Sequence, residues 1–351
     1  MIRLGIVGTG GMANSHAQQF GKITGVQVTA CCDVVADKAR EFAARHGIPA
    51  VYSDYRAMLA AGQLDGVINV TPDATHAEIA IAIARKGLAI LSEKPMATSL
   101  AEARRMLAAV SRAGVPNMIN FSYRNACALQ AAARVVRAGR IGRVIHVEAS
   151  YLQSWLVSRA WGDWRTKAGM TWRLSTRHGS AGVLGDLGCH IYDLTSFLCG
   201  DIVEIDCRLK TFDKGAARNR IGAYVLDAND SFAATVAFRD GGLGVIHSSR
   251  WATGHNNSLR ARVYGDQGAI EVDLDRSYET YRICRGRANI DAARWEEVKC
   301  RPTPSNAVRF VRAIRSGKPD ASDFANGLKV QAYLDASQRS SAACRPMAVR
   351  V

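Results

Sequence analysis

The chain has no apolar run of membrane-spanning length, no Cys-x-x-Cys pair, no low-complexity stretch and no internal repeat. A spanning helix needs about 20 consecutive apolar residues, so a non-membrane protein is expected. The first residues run straight into MIRLGIVGTGG without the regions of a signal peptide, and a cytoplasmic location is expected on that ground. The nine cysteines are odd in number and scattered, which argues against a disulfide framework or a zinc module. Most of these thiols read as small core residues in a reducing compartment. Acidic residues are the scarcer sign: 31 Asp and Glu stand against 46 Lys and Arg, a formal net charge of +15. The excess is dispersed, and its densest patch, RICRGR at 282–287, has no nucleic-acid module around it. No nucleic-acid partner is expected. The charge reads as a solubility device or as a field that draws an anionic substrate or cofactor.

With 351 residues, 48% of them hydrophobic, the chain is long enough for two cores. Its first third alternates short β-rich runs with helical ones. Strands are expected at Ile2–Val7, Val26–Cys32, Leu64–Val70, Ala89–Leu91 and Asn117–Phe121, with helices near 11–21, 36–47, 75–87 and 99–114. Thr75 and Ser99 suit helix N-caps, and Gly47, Gly87 and Gly114 suit C′ positions. This rhythm predicts a doubly wound parallel sheet covered on both faces. After residue 122 a helix near 127–138 leads into strand-like runs at Val144–Tyr151, Ile202–Leu209, Ser231–Phe238, Gly244–Arg250, Leu259–Tyr264 and Ala269–Val272. The turn RDGG (239–242) joins two of them as a hairpin, and two helices near 304–316 and 322–340 close the chain. The expected class is α/β: a dinucleotide-binding domain at 1–121 and an α+β domain with a mainly antiparallel sheet at 122–351.

LGIVGTGGMA supplies Gly8-x-Gly10-x-x-Ala13 between an apolar strand and a helix, with Thr9, Gly11 and Met12 completing the loop. One glycine makes the tight turn, a second admits a pyrophosphate to the backbone, and small Ala13 lets helix approach strand. Asp33 ends the next strand, where a carboxylate suits a ribose 2′-hydroxyl and repels a 2′-phosphate. NAD is therefore the expected cofactor, with NADP the second choice.

Two further stretches carry chemistry. LSEKPMATSL places Glu93, Lys94 and Pro95 at the carboxyl end of a strand, where open α/β sheets bind ligands. GDLGCHIYDL (185–194), read as an α-helix, puts Asp186, His190 and Asp193 within about 60° of one another around the axis. Its apolar stripe of Leu187, Ile191, Leu194 and Leu198 lies about 100° away and explains itself as core. On the residues alone the polar face is either a catalytic acid–imidazole pair or a capping Asp186 beside a satisfied core histidine. No metal is expected: a catalytic site needs a third ligand, for which Asp193 or another histidine could serve, yet no H-E-x-x-H or similar motif occurs.

GIVGTGGMA, VTPDATHAEIAIAIARKG, EKPMATSLAEA, FSYR and GVLGDLGCHIYDL occur in an order that resembles the Gfo/Idh/MocA oxidoreductases. The resemblance extends over nearly the whole chain, into the closing DFANGLKVQAYLDASQRSS. It implies a Rossmann domain, a second domain with a large open sheet for substrate binding and oligomerisation, and dimers or tetramers. It also implies that Lys94 is the catalytic lysine and that Asp186 and His190 are the acid and histidine of the family's D-x-x-x-H helix. The chemistry agrees with the residue types. Oxidising a secondary alcohol removes an O–H proton as hydride leaves carbon; a histidine suits the base and a lysine stabilises charge on oxygen. Asp186 would orient the imidazole, raise its basicity or bind a neighbouring hydroxyl, and Asp193 would touch substrate or support His190.

The same resemblance implies cofactor contacts from Thr71, Pro72 and His76 of T-P-x-x-x-H, with packing inside its helix as the alternative for His76. It adds cofactor contacts from Glu93, Lys94 and Arg124, and from Trp172 and Arg173 of TWRL, whose Arg173 would also reach substrate. Tyr123, Gln153 and Trp155 (the last two in YLQ-x-W) are implied substrate contacts. Four of the six tryptophans fall between 155 and 172, either as local core or as an aromatic wall for a sugar ring. The function implied is hydride transfer between NAD and a secondary hydroxyl of a sugar or cyclitol, inositol being the leading example. An NAD-dependent glycosidase working by transient C3 oxidation is the alternative, and a non-catalytic NAD-binding regulator a more distant one.

Overall fold

The computed structural model describes residues 1–351, the side chain of Ala168 excepted. The chain divides into two compact units, Met1–Ser122 with Pro304–Gln331, and Tyr123–Thr303 with Ala332–Val351.

The first unit is built from β1 (Ile2–Val7), α1 (Gly11–Gly21), β2 (Val26–Cys32), α2 (Ala36–His46), β3 (Ala50–Tyr52), α3 (Tyr55–Ala60), β4 (Gly66–Asn69), α4 (His76–Arg85), β5 (Ala89–Ser92), α5 (Leu100–Ala113) and β6 (Asn117–Ile119). Its six strands are parallel in the order β3-β2-β1-β4-β5-β6. The order reverses between β1 and β4, which opens a ligand crevice at their carboxyl ends. The runs are continuously apolar because both sheet faces are covered: Leu4, Ile6, Ile68 and Ile90 are completely buried. Ser99 caps α5 by accepting the Glu102 N–H, whereas the Thr75 hydroxyl turns back to the Pro72 carbonyl and caps nothing. The sequence reading omits β3 and α3, since AVY is too short and too exposed to show a period.

The second unit contains α6 (Cys127–Arg137), β7 (Val144–Gln153), α7 (Ala168–Thr171), α8 (Cys189–Cys199), β8 (Ile202–Lys210), β9 (Arg220–Ile221), β10 (Tyr224–Val225), β11 (Ser231–Phe238), β12 (Leu243–Ser249), β13 (Asn257–Gly265), β14 (Gly268–Asp273), β15 (Thr280–Arg285), α9 (Arg287–Asp291) and β16 (Glu296–Lys299). The chain closes with α10 (Asn306–Ser316), α11 (Phe324–Ala343) and β17 (Met347–Ala348). Nine strands form one sheet in the order β16-β15-β14-β13-β7-β12-β11-β8-β17. Only β7 and β12 pair in parallel; the other neighbours are antiparallel, and the RDGG hairpin joins β11 to β12. Alternation sends Val147, Ala149, Tyr151 and Gln153 to the buried face. Strands β15, β16 and β17 extend the sheet past the expected limit. TYRICR hides its alternation in a basic patch, and the other two are four residues or fewer.

The expected α-helix at 185–194 is corrected. Leu184–Gly188 forms a π-helical turn, and α8 starts only at Cys189. Asp186 therefore lies in the π-turn and His190 in the first turn of α8.

A single division at 121 would leave both closing helices in the second unit. The structure instead places Pro304–Gln331 in the first. Ala307, Phe310 and Val311 of α10 join the core of Leu4, Phe20, Ile68 and Leu91, a contact no local pattern announces. No helix among the described residues is long and apolar enough to cross a membrane.

Phe310 is completely buried in that core. Phe310→Ala is expected to destabilise the first unit by about 3–5 kcal/mol, read as a lowered urea midpoint for loss of NADH binding; an unchanged midpoint would detach α10 from the core.

Candidate active site

The loop after β1 contains three glycines with two different duties. Gly8 has φ +90° and a Cβ there would lie 2.6 Å from the Val70 carbonyl oxygen, so the fold itself demands glycine. A Cβ on Gly10 or Gly11 would meet nothing within 4 Å. The open space at these two positions leaves the backbone N–H groups at the start of α1 accessible to an anion, as a dinucleotide pyrophosphate requires. Ala13 is fully buried against the sheet, and Met12 stands exposed. Asp33 is tied to the loop: its Oδ2 accepts from Thr9 N at 2.9 Å and Thr9 Oγ1 at 2.8 Å, and its Oδ1 from Val35 N at 3.0 Å. Burial works to raise its carboxyl, but these bonds and nearby Lys38 hold it below the ordinary range. An ionised, oriented carboxylate at the end of β2 suits a ribose hydroxyl. The residues present fit NAD.

Glu93, Lys94 and Pro95 follow β5. The Glu93 Oε1 is 2.7 Å from His16 Nε2 and accepts from Asn120 Nδ2 at 2.7 Å, while Oε2 accepts the Lys94 N–H at 3.2 Å. Asn120 is oriented in turn by Asn306 Nδ2, which donates to its Oδ1 at 2.8 Å. Burial of Glu93 works to raise its carboxyl; His16, Asn120 and Lys94 outweigh it and lower the carboxyl to about 2. A carboxylate so engaged holds the loop. The Thr71 hydroxyl donates to Asn69 Oδ1 at 2.7 Å, and Pro72 opens the turn into α4. His76 is completely buried, with Nε2 2.8 Å from the Thr71 carbonyl oxygen and Nδ1 2.9 Å from that of Pro95. The ring thus meets two loops outside its own helix and is completely buried between them.

In the second unit the His190 ring is enclosed edge-on by Tyr123 and Tyr151, with centroids 4.9 and 6.1 Å away. The two phenols are 2.5 Å apart and are locked by Asn257, which accepts from Tyr151 at 2.8 Å and donates to Tyr123 at 2.9 Å. Gln153 donates to Asn257 at 2.8 Å and accepts the Trp155 indole N–H at 3.1 Å. Burial, then neighbouring Tyr123, pushes the Tyr151 phenol well above its usual value, so it remains a neutral hydrogen-bonding group. Asp186, whose side chain is 33% exposed, forms an ion pair with the completely buried Arg250 at 3.0 Å. Arg250 also donates to the Arg173 carbonyl at 3.0 Å and lies 4.9 Å from the Trp155 ring centroid. Partial exposure leaves Asp186 room to meet a ligand.

Other expectations change. Arg124 and Asp193 are both buried and bound to each other through two bonds of 2.8 and 2.6 Å, with Phe197 against the guanidinium. A cofactor contact by Arg124 and a substrate contact by Asp193 are thereby replaced by a buried pair that braces α8. Trp155 and Trp164 enter a small core with Leu156, Met170, Leu174 and Leu226, so the tryptophan-rich stretch is in large part local core. Trp172 is only partly buried and stacks with the Arg173 guanidinium, 4.7 Å from its ring centroid. Sequence reasoning missed His16, Asn120, Arg250 and Asn257; each is recruited from a distant segment and shows no local signal.

The model of the oxidoreductase family with an NAD-binding Rossmann fold matches residues 2–121, and that of the GFO/IDH/MocA C-terminal domain matches 129–271. The chain belongs to the Gfo/Idh/MocA oxidoreductase family. This Gfo/Idh/MocA protein is an NAD-dependent oxidoreductase. It is similar to the levoglucosan dehydrogenase of Pseudarthrobacter phenanthrenivorans, 27% identical over 303 residues that cover 79% of this chain and 75% of that protein. It also resembles the inositol 2-dehydrogenase of Rhizobium meliloti, 26% identical over 353 residues covering 99% of each. The solved complex of levoglucosan dehydrogenase with NADH matches it with a TM-score of 0.88 at 25% identity over 99% of both chains.

Asp33→Ala is expected to weaken NAD binding and relax discrimination against NADP. Asp33→Asn, which keeps an acceptor for Thr9, isolates the charge; unchanged discrimination in fluorescence titrations would mean another group reads the ribose.

The depressed Glu93 carboxyl predicts an acid-sensitive first unit. Its stabilisation is fully present above about 4.5 and fades as pH falls towards about 2. The stability difference between wild type and Glu93→Gln should be constant above that window and shrink within it; a pH-independent difference would contradict the assignment.

Proposed function

We propose that this enzyme oxidises a secondary hydroxyl of a sugar or cyclitol, with a cyclic polyol or anhydrosugar as the substrate class. The reading is carried by the buried His190 ring, enclosed by two tyrosines in the unit where Asp186 presents a part-exposed carboxylate clamped by Arg250. The names of the similar proteins, levoglucosan dehydrogenase and inositol 2-dehydrogenase, support this substrate class.

Gly8, Thr9, Gly10, Gly11, Ala13 and Asp33 would hold NAD, with Thr71 and Pro72 bordering it. Bound there, NAD would supply the hydride acceptor for oxidation of the carbinol carbon. His190 takes the hydroxyl proton as that carbon is oxidised, its ring held by Tyr123 and Tyr151 so that no rotamer search precedes transfer. Lys94 donates a hydrogen bond to the reacting oxygen and stabilises the charge that develops there. Asp186 accepts a hydrogen bond from a second hydroxyl, which selects vicinal diols. Arg250 supports this role by fixing one carboxylate oxygen at 3.0 Å. Trp172 and Arg173 border the ring faces, where an apolar indole suits C–H surfaces.

The test is absorbance at 340 nm with NAD and a panel of inositols, free sugars, anhydrosugars and glycosides. NADH formation with one ring class is expected. Aglycone release without NADH accumulation would replace the dehydrogenase reading with a transient-oxidation glycosidase. With the substrate in hand, Lys94→Ala and His190→Ala should each lower kcat by about 10²–10⁴ while NADH binding stays near wild type. Full turnover in either variant would remove that residue from the chemistry.

A further inference from the structure

Lys94 stands in an irregular segment between β5 and α5. A lysine has a long side chain with free rotors, and an error of about 1 Å at a reacting group costs about 10² in rate. Something must hold the backbone beneath it. On the preceding side, the Glu93 N–H donates to the Asn69 carbonyl at 2.9 Å. The Glu93 carboxylate meets His16 Nε2 at 2.7 Å and Asn120 at 2.7 Å, and receives the N–H of Lys94 itself. On the following side, the Pro95 carbonyl oxygen lies 2.9 Å from His76 Nδ1, whose Nε2 is 2.8 Å from the Thr71 carbonyl oxygen. A carbonyl only accepts and a neutral imidazole carries one N–H, so the His76 ring donates to the Pro95 or the Thr71 carbonyl according to its tautomer. Asn69 completes the frame by donating to the His76 carbonyl at 3.2 Å and accepting from Thr71 Oγ1 at 2.7 Å. His16, His76 and Asn69 are all buried.

We propose that His16 and His76 are positioning residues that aim Lys94 by gripping the residues on either side of it, Glu93 through its carboxylate and Pro95 through its carbonyl. This inference rests on the reading of Lys94 as the group that binds the reacting oxygen. Neither histidine touches substrate, and each acts through the loop.

Their ring nitrogens make different bonds, and this yields a test that general loss of packing does not mimic. A glutamine amide replaces the reach of Nε2, and an asparagine amide that of Nδ1. In the full-length enzyme with its identified sugar and NAD, His16→Ala and His76→Ala are expected to lower kcat by about 10–100-fold. KM for the sugar and Kd for NADH should stay within about threefold of wild type. At position 16 the recovery should come from His16→Gln and not His16→Asn, because only Nε2 is used. At position 76 His76→Asn should outperform His76→Gln, because the bond to Pro95 is the one next to Lys94.

Wild-type kcat in the folded alanine variants would overturn the proposal. So would losses confined to KM or NADH affinity, or equal recovery by both amides at either position. Where an alanine variant does not fold, the order of the two amide variants decides alone. Lys94→Ala is measured beside them: if it retains turnover, the reading of Lys94 falls and this inference with it. If it is inactive while the amide order is absent, only the positioning role falls.

Discussion

A carboxylate moved out of water loses hydration worth several kcal/mol unless the protein supplies donors in its place. At Glu93 those donors come from α1, the end of β6 and the neighbouring backbone, with α10 reached through Asn306. The first unit is organised around this requirement. The glycine turn brings α1 to the sheet, His16 on α1 meets the acid, and Asn120 is held by a helix that returns from far along the chain. The lysine beside the acid acquires a fixed backbone as a by-product of solvating a buried charge. Replacing the pair with apolar side chains could preserve stability yet would leave the lysine loop without its directional contacts.

The second unit uses the same physics with the opposite sign. Arg250 is completely buried, and its guanidinium is compensated by Asp186 and by the Arg173 carbonyl. Nearby, Lys214 and Asp230 form a completely buried pair at 2.6 Å. Asp186 is the one carboxylate of these two pairs that reaches solvent, so the buried arginine keeps a charged, oriented acceptor at the surface of the unit. Asp186 itself lies in the π-turn at Leu184–Gly188, immediately before α8. Arg124 and Asp193 satisfy each other and hold α8 from behind.

Much of the first unit was readable because its constraints are local. A turn at φ +90°, a gap for an anion and a carboxylate at the end of the next strand leave a pattern within about 25 residues. Strand–helix alternation was equally plain, apart from the short β3 and α3. The residues proposed for the chemistry, Lys94, Asp186 and His190, were named through the motifs that carry the family resemblance. Their supports were not. His16 meets Glu93 across 77 positions, Arg250 meets Asp186 across 64 and Asn306 meets Asn120 across 186. Single-sequence patterns report periodicity and turns, and a bond closed by tertiary folding leaves no period. The same limit explains Arg124 and Asp193: each reads as a group beside a ligand until the other, 69 positions away, is brought to it. A π-turn differs from an α-turn by one residue of spacing, which propensity does not register.

The return of α10 to the first unit has a consequence for biosynthesis. A ribosome releases the N-terminus first, and at about 5–20 residues per second the stretch from 122 to 304 takes about 10 to 40 s to emerge. Throughout that interval the nascent sheet lacks Ala307, Phe310 and Val311, and the apolar surface they cover stands open to water and to other chains. Asn120 likewise waits for Asn306. The last step in folding this nucleotide-binding unit therefore waits until the sequence of the second unit has been made, and a chaperone that shields nascent apolar surface would meet a half-made sheet, not an unfolded chain.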